Sequence, residues 1–216
     1  MMQAAELWIV AGPNGAGKTT LVNRGALANL LSNALMLNAD DRTLDKLRKL
    51  GYRGFEDVPS SILEAAFISA ATEVEAELPH QLQLGHKVCV ETVLSTDKYK
   101  QVVEDVRIGR GFVGLIYVGI RSPEILYSRI ASRVLRGGHD VPKDRVAIRW
   151  KRSIELIPWF VAHADSIWIY NNTDANEFVP PTLIAEGCRG KVKIYDRDAI
   201  PEITNALSHI QTEGEP

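Results

Sequence analysis

The stretch GPNGAGKTT, residues Gly12–Thr20, decides the fold of this 216-residue chain. It fits the pattern G-x-x-x-x-G-K-[ST] of a phosphate-binding P-loop. Its glycines lack a Cβ atom, so the backbone can turn tightly, and its N–H groups form an anion cradle with the first turn of the next helix. In this pattern Lys18 reaches the β- and γ-phosphates of a nucleotide and the Thr19 hydroxyl holds Mg²⁺. The predicted nucleotide-binding residues are Gly12, Pro13, Asn14, Gly15, Ala16, Gly17, Lys18, Thr19 and Thr20.

The composition is typical of one globular α/β domain, which we expect to span residues 1–216. A net charge of −2 gives no general attraction to nucleic acid or to anionic lipid. Cys89 and Cys188 lie far apart and form no C-x-x-C pair, which fits a reducing cytoplasm. The sequence has no signal-peptide pattern, and no apolar run approaches the ~20 residues that span a bilayer. We therefore expect a cytoplasmic protein.

Short apolar runs alternate with helical segments along the chain, which predicts a parallel sheet with helices on both faces. One helix is expected to follow the P-loop to about residue 31, and the tail 211–216 is expected to fray. Ligands of such sheets bind beyond the carboxyl ends of the strands, where the P-loop, Asp40-Asp41 and Glu91-Thr92 all lie. The five core strands are predicted at residues 7–11, 34–38, 86–90, 112–120 and 166–170, with two short strands at 182–185 and 192–195.

Carboxylates follow the second and third predicted strands. Phosphoryl transfer needs a carboxylate that orients or deprotonates the nucleophile, and Asp40 is the candidate base. Alternatively, Asp40 and Asp41 cap the helix over residues 42–50, and the same pair can do both. Glu91 can hold Mg²⁺ through water or anchor a substrate, or it is simply a solvated strand end.

Arginines recur on one face of each of two predicted helices, with the spacing i, i+4, i+7. The pair Gly137-Gly138 lies between the helices and is a predicted hinge. Two basic stripes beside a flexible loop, over about residues 129–152, would form a lid that closes arginines over an ATP γ-phosphate. Each stripe alone could be an ordinary solvated face, but neither has matching acidic partners four residues away on its own helix. The stripes are Arg129, Arg133 and Arg136, and Arg145, Arg149 and Arg152.

Ring side chains could add contacts to this site. His139 in the predicted lid loop can touch phosphate or serve a structural role. Four aromatic residues could stack on a base, although core packing is the default interpretation for each. They are Tyr52, Phe55, Trp150 and Trp159.

Together the motifs resemble the zeta toxin family, whose relatives include short bacterial proteins described as predicted ATPases or UDP-N-acetylglucosamine kinases. The resemblance covers roughly residues 7–172. It implies an adenylate-kinase-like three-layer core that transfers the γ-phosphate of ATP to a hydroxyl of a UDP-amino sugar, with Mg²⁺ as cofactor and an antitoxin protein as a candidate partner. The matching motifs are GPNGAGKTT, NAD at Asn38–Asp40, ET-x-LS at Glu91–Ser95 and R-x₃-R-x₃-GGH-x-VP at Arg129–Pro142.

The resemblance also implies roles for single residues. Lys18 and Thr19 would serve ATP and Mg²⁺, with Asp40 as the base. Glu91 and Thr92 would contact the sugar nucleotide, and Arg133 and Arg149 would be the lid arginines. Two positions depart from the family pattern: Thr92 stands where the plasmid-borne toxins have glycine, and Asn171 stands where an aspartate is expected. The first departure bears on the sugar substrate, and the second on the strand end alone.

Two other functions remain open. A kinase for nucleotide or polynucleotide 5′-hydroxyls would share the core, but an acidic protein with basic residues confined to a lid is a poor track for a polynucleotide. A non-catalytic nucleotide-binding module would not need Asp40, Glu91 or the arginines. A transporter-type ATPase is disfavoured because no LSGGQ-like signature occurs, and a GTPase because no N-K-x-D motif occurs.

Overall fold

The computed structural model describes residues 4–23, 25–174, 176 and 179–212. Within these residues, eight strands form one sheet in the order β2-β3-β1-β4-β5-β6-β7-β8. The strands are β1 (Glu6–Ala11), β2 (Leu35–Asn38), β3 (Lys87–Thr92), β4 (Phe112–Gly119), β5 (Ser166–Asn171), β6 (Thr182–Cys188), β7 (Lys191–Ile194) and β8 (Gln211–Thr212).

The first five strands are parallel to one another, which confirms the predicted five-stranded parallel core. β6 and β7 extend it as an antiparallel hairpin, and β8 pairs with β7 in parallel. β1 lies between β3 and β4, so the P-loop leaves the centre of the sheet. This is the position at which open α/β sheets bind ligands.

Helices cover both faces of the sheet, as the alternating pattern predicts. α4, α5, α7 and α8 lie on one face and α1 and α2 on the other, while α6 packs with the start of α7 beside the P-loop. The helices are α1 (Lys18–Val22), α2 (Gly25–Leu31), α3 (Ala39–Lys49), α4 (Ser60–Gln83), α5 (Lys100–Ile108), α6 (Pro123–Val134), α7 (Lys143–His163) and α8 (Pro201–Ala206).

The two faces of β1 show why this layering is stable. Leu7 and Ile9 point into the larger core with α4 and α7, while Trp8 and Val10 point into the smaller core with α1 and α2. All four side chains are buried, as expected for the central strand of a sheet that is covered on both sides. Trp8 also stacks on Trp168 of β5, with ring centroids 5.5 Å apart.

Two predicted segments differ from the structure. The helix after the P-loop is not continuous to residue 31, because α1 ends at Val22 and α2 begins at Gly25. Asn23, the C-cap of α1, sits at this interruption. The tail is not frayed at Gln211 and Thr212, which pair with Lys191 and Val192, and the rest of that prediction, residues 213–216, lies outside the described residues.

Candidate active site

The carboxyl ends of three neighbouring strands form the site. Ala11 of β1 is in register with Thr92 of β3, and Asn38 of β2 is in register with Glu91. The P-loop, the start of α3 and Glu91 therefore lie side by side, although α3 begins about twenty residues after the P-loop and Glu91 follows about fifty residues later. The convergence predicted from the sequence is present.

Lys18 is the first residue of α1 and is buried beneath the P-loop. Its Nζ donates to the carbonyl oxygens of Gly12, at 3.0 Å, and Pro13, at 3.3 Å. Burial lowers the pKa of Lys18, and the nearby charges of Glu91 and Asp40 oppose that shift. The ammonium group is thus held inside the loop that would cradle phosphates, with carboxylates as its electrostatic neighbours.

Thr19 follows with its side chain directed at Glu91. The Thr19 hydroxyl lies 2.9 Å from Glu91 Oε2 and 3.1 Å from Glu91 Oε1, and Lys18 Nζ lies 3.9 Å from Oε1. Glu91 therefore faces the P-loop. By contrast, the hydroxyl of its neighbour Thr92 accepts a hydrogen bond from the Leu94 N–H, at 3.2 Å, and shapes the following turn.

The pairing of Thr19 and Glu91 fits Mg²⁺ bound chiefly by phosphate oxygens and water. Mg²⁺ retains several waters and takes one or two protein oxygens in such sites. No cluster of three or more His, Cys, Asp or Glu side chains suited to a metal ion occurs in the part of the chain that the structure describes. A hydroxyl beside one carboxylate is the donor set that a nucleotide-bound Mg²⁺ needs.

Asp40 and Asp41 open α3, but neither caps it. The N-cap is Asn38, whose side chain accepts from the Asp40 N–H at 2.9 Å. The Asp40 carboxylate is therefore not the N-cap of α3, and its charge acts on both Lys18 and His139. Desolvation and the charges of Asp40 and Asp45 raise the pKa of Asp41. The charge of Asp40, unlike that of Asp41, thus acts on the P-loop lysine.

Asn172, just after β5, supports the P-loop from the far side. Its side-chain amide donates to the Ala16 carbonyl at 2.8 Å. Gly17 has a φ of 88°, and a Cβ there would lie 2.5 Å from the Asn172 amide nitrogen. The last residue of this strand end therefore helps to shape the loop, whereas Asn171 accepts from the N–H of Thr173 in a local turn.

The arginine stripes divide into inward and outward residues. Arg149 donates to the Asn14 side chain at 3.3 Å, and Arg129 lies 3.5 Å from the Gly15 carbonyl. The positive charge of Arg133 is near enough to oppose protonation of Lys18. Three arginines therefore lie around the P-loop. The exposed members of the stripes are Arg136, Arg145 and Arg152.

Three of the four aromatic residues that could stack on a base contact other parts of the protein instead, in line with the default interpretation. Trp150 donates its indole N–H to the Ile120 carbonyl at 2.8 Å, which ties α7 to the end of β4. Trp159 stacks on His163, with centroids 4.0 Å apart. Phe55 packs against Phe67 and His139, and Tyr52 is half-buried.

No protein-family model matches the chain, and no curated protein matches it. Solved structures do match. A chain of the AvrRxo1-ORF1:ORF2 complex solved with ATP has a TM-score of 0.73 at 14% identity, over 99% of this chain and 67% of that one. A chain of the PezAT toxin–antitoxin system of Streptococcus pneumoniae has a TM-score of 0.56 at 18% identity, over 80% and 71%.

A third structure, described as a "putative kinase" from Chloroflexus aurantiacus J-10-fl, is 25% identical with a TM-score of 0.50, over 63% of this chain and 71% of that one. The chain has the fold of a P-loop kinase. It spans 63% of the matched chain in the AvrRxo1 complex with sulphate ions. In the residues described, no helix of this kinase fold is both long and apolar enough to cross a membrane.

Sequence reasoning missed two residues of the site. Asn172 and Phe67 lie outside any phosphate-binding pattern, and only their packing against the P-loop and the lid loop distinguishes them. Arg129 was within the recognised stripe, where its spacing from Arg133 places it on the same face of α6.

Proposed function

We propose that the chain is an ATP-dependent small-molecule kinase that transfers the γ-phosphate of ATP to a hydroxyl of a UDP-amino sugar. One observation carries the proposal. Lys18, Glu91, Asp40 and Arg133 lie near enough for the three other charges to act on the Lys18 ammonium. A pure nucleotide-binding module has no use for a base and a second cation above its P-loop.

Lys18 has the dominant electrostatic role. Its Nζ contacts only carbonyl oxygens and one carboxylate among the described residues, so phosphate oxygens can replace these partners. The Thr19 hydroxyl and Glu91 would hold Mg²⁺, which neutralises charge on the phosphate oxygens when it is bound. The backbone N–H groups of the P-loop orient the β-phosphate.

Asp40 acts as the base. Its carboxylate accepts the proton of the acceptor hydroxyl while that oxygen forms a bond to the γ-phosphorus. The bond from the γ-phosphorus to the β-phosphate oxygen breaks, and ADP leaves with that electron pair. Because the start of α3 lies next to β3, the acceptor enters between Asp40 and the lid.

Arg133 and Arg149 stabilise the charge that spreads over the transferring oxygens. They belong to a lid over about residues 129–152, built from the end of α6, the loop 135–142 and the start of α7, in a single kinase domain. The guanidinium of Arg149 already reaches the P-loop at Asn14. An arginine suits this role because its planar fork can bind two phosphate oxygens at once.

The assignments of the acceptor and of the partner rest on the resemblance to the zeta toxin family and to the solved toxin complexes. The motif at Glu91–Ser95 supports a UDP-amino sugar, with Glu91 and Thr92 at the acceptor side. The AvrRxo1 chains occur in a complex with ORF2, and the PezAT chain belongs to a toxin–antitoxin system. An antitoxin-type protein is the corresponding partner for this chain.

Incubation of the protein with ATP, Mg²⁺ and a panel of acceptors, read by mass spectrometry, tests this proposal. We expect one phosphoryl group to be added to a UDP-amino sugar and none in the Lys18→Ala variant. Phosphorylation of a 5′-hydroxyl oligonucleotide instead would assign the chain to the alternative kinase class. ATP binding without any product would support the non-catalytic alternative.

A further inference from the structure

Three rings join the predicted lid to α4 and to the loop between α3 and α4. His139 lies in the loop between α6 and α7, which we call the lid loop (residues 135–142). Its ring centroid lies 4.3 Å from that of Phe67 in α4 and 5.5 Å from that of Phe55 in the loop between α3 and α4. Phe55 and Phe67 stack with nearly parallel planes, 5.9 Å apart. We call these three residues the ring cluster.

The lid loop in turn holds Arg133. The Arg133 guanidinium donates to the His139 carbonyl oxygen at 2.5 Å, and the Gly138 N–H donates to the Arg133 carbonyl at 3.0 Å. A Cβ on Gly138 would lie 2.5 Å from Arg133 Cγ, so only glycine lets the loop pack this closely. The position of His139 therefore fixes the position of Arg133.

Arg133 is oriented, but its bonding is incomplete. Its Nε is buried and has no hydrogen-bond partner among the described residues. A buried guanidinium N–H without a partner is costly, which favours a site that an acceptor atom fills during function. The same side chain is near enough to Lys18 to affect its pKa. The two positive charges therefore act on the same neighbourhood, where an anion would be stabilised by both.

We propose that Phe55, Phe67 and His139 are positioning residues that hold Arg133 over the P-loop, and that His139 acts through its backbone carbonyl and not through its imidazole. This inference rests on the proposed function, since the group to be met by Arg133 is a transferring phosphoryl. The ring cluster links α4 and the loop between α3 and α4, which carry Phe67 and Phe55, to the lid arginine through His139. An acceptor that disturbs the loop bearing Phe55 would therefore displace Arg133.

A pair of variants at His139 separates the carbonyl from the imidazole. His139→Phe keeps a ring for the cluster, so kcat should stay within about threefold of wild type. His139→Ala removes the ring and should lower kcat about tenfold with little change in ADP affinity, because small displacements of a catalytic group are costly. Equal losses in the two variants would mean that the imidazole itself acts on the substrate, and would overturn the proposal.

A double-mutant cycle tests whether the rings act through Arg133. Phe67→Ala should lower kcat about tenfold, and Phe67→Leu less. In an Arg133→Ala background the Phe67→Ala change should have no further effect on kcat, because residues that act as one unit are not additive. Ile68→Ala is the matched control, since Ile68 is the next residue of α4 and is 61% exposed. If the double variant instead lost kcat by the product of the two single effects, the rings and Arg133 would act independently, and the proposal would be overturned.

Amide hydrogen exchange provides a readout that needs no activity. The Gly138 N–H donates to the backbone carbonyl of Arg133, and Phe67→Ala should speed its exchange by about tenfold or more. Ile68→Ala should leave that exchange rate unchanged. Unchanged protection of Gly138 in Phe67→Ala would overturn the ring cluster as a positioning device. If wild type transfers no phosphate to any acceptor, the proposed function fails, and the exchange result still decides whether the rings hold the arginine segment.

Discussion

The phosphate half and the lid half of the site differ in how the chain builds them. The phosphate half is largely one run, Gly12–Thr20, whose backbone and first helical turn already form an anion cradle. The lid half joins Arg133 and His139 to rings from Phe55 and Phe67, which lie more than sixty residues earlier. A contiguous motif carries its own geometry, whereas the lid depends on tertiary packing. The two halves should therefore fail differently when they are perturbed.

The phosphate half should show the largest loss. Lys18→Ala removes the buried cation beside the transferring phosphate and should lower kcat/KM by about 10⁴-fold or more, with much weaker ATP binding. Steady-state kinetics and calorimetric titration with ATP measure both effects. Lys151→Ala, at a largely exposed lysine of α7, serves as the control. Wild-type turnover in Lys18→Ala would refute the P-loop assignment.

The junction of the two halves comes next. Asp40→Asn keeps the shape of the side chain but cannot accept a proton, so transfer should fall by about 10³-fold while ATP still binds. Asp41→Asn is the matched change at the adjacent residue and should be mild. A crippled Asp41→Asn beside a near-normal Asp40→Asn would mean that the base is Asp41.

The lid half should show a smaller loss, confined to turnover. Arg133→Ala and Arg149→Ala should each lower kcat by about 10²-fold with little change in ADP affinity, because ADP lacks the transferring phosphate. Lysine at either position should restore activity only in part, since it lacks the planar fork. Arg152→Ala, on the exposed side of α7, is the control. Unchanged kcat in both arginine variants would restore the view that the stripes are solvated faces.

The smallest effect concerns pH and the ring cluster. Burial lowers the pKa of His139, with Arg133 and Arg149 acting in the same direction and Asp40 and Asp140 opposing. The unfolded chain then binds the proton more readily than the folded one, so stability falls as pH drops from about 6.5 through the lower folded pKa.

His139→Phe removes this linkage. Between about pH 7.5 and 5.5, wild type should lose more unfolding free energy than His139→Phe, because only wild type carries this proton linkage. Urea denaturation at each pH measures the difference. Parallel pH curves for the two proteins would show that the ring cluster carries no proton linkage.

Most of the fold could be read from the sequence because its signals are local. Buried parallel strands appear as short apolar runs, and the strands predicted at residues 7–11 and 166–170 lie within one residue of the bounds of β1 and β5. The break between α1 and α2 was missed because residues 21–31 have no proline and only one glycine to mark it. The strand at Gln211–Thr212 depends on pairing with β7, which no local pattern encodes.

The site could be predicted only where function follows a strand end or a motif. Asp40 and Glu91 were found because parallel strands bring their carboxyl ends together. Asn172 was read merely as part of a strand end, because its contact with Ala16 spans 156 residues. Phe67 looks like any apolar residue of an amphipathic helix, and only the position of His139 above it shows its role.

Single-turnover chemical quench with γ-labelled ATP, Mg²⁺ and excess UDP-amino sugar decides whether the protein is a kinase of this type, because it follows the label to its destination. We expect the label to move to the acceptor in step with ADP formation, and we expect Asp40→Asn to bind ATP but leave the label in place. Label that stays in ATP with wild-type protein would contradict a kinase function, and label that appears only as inorganic phosphate would contradict transfer to an acceptor.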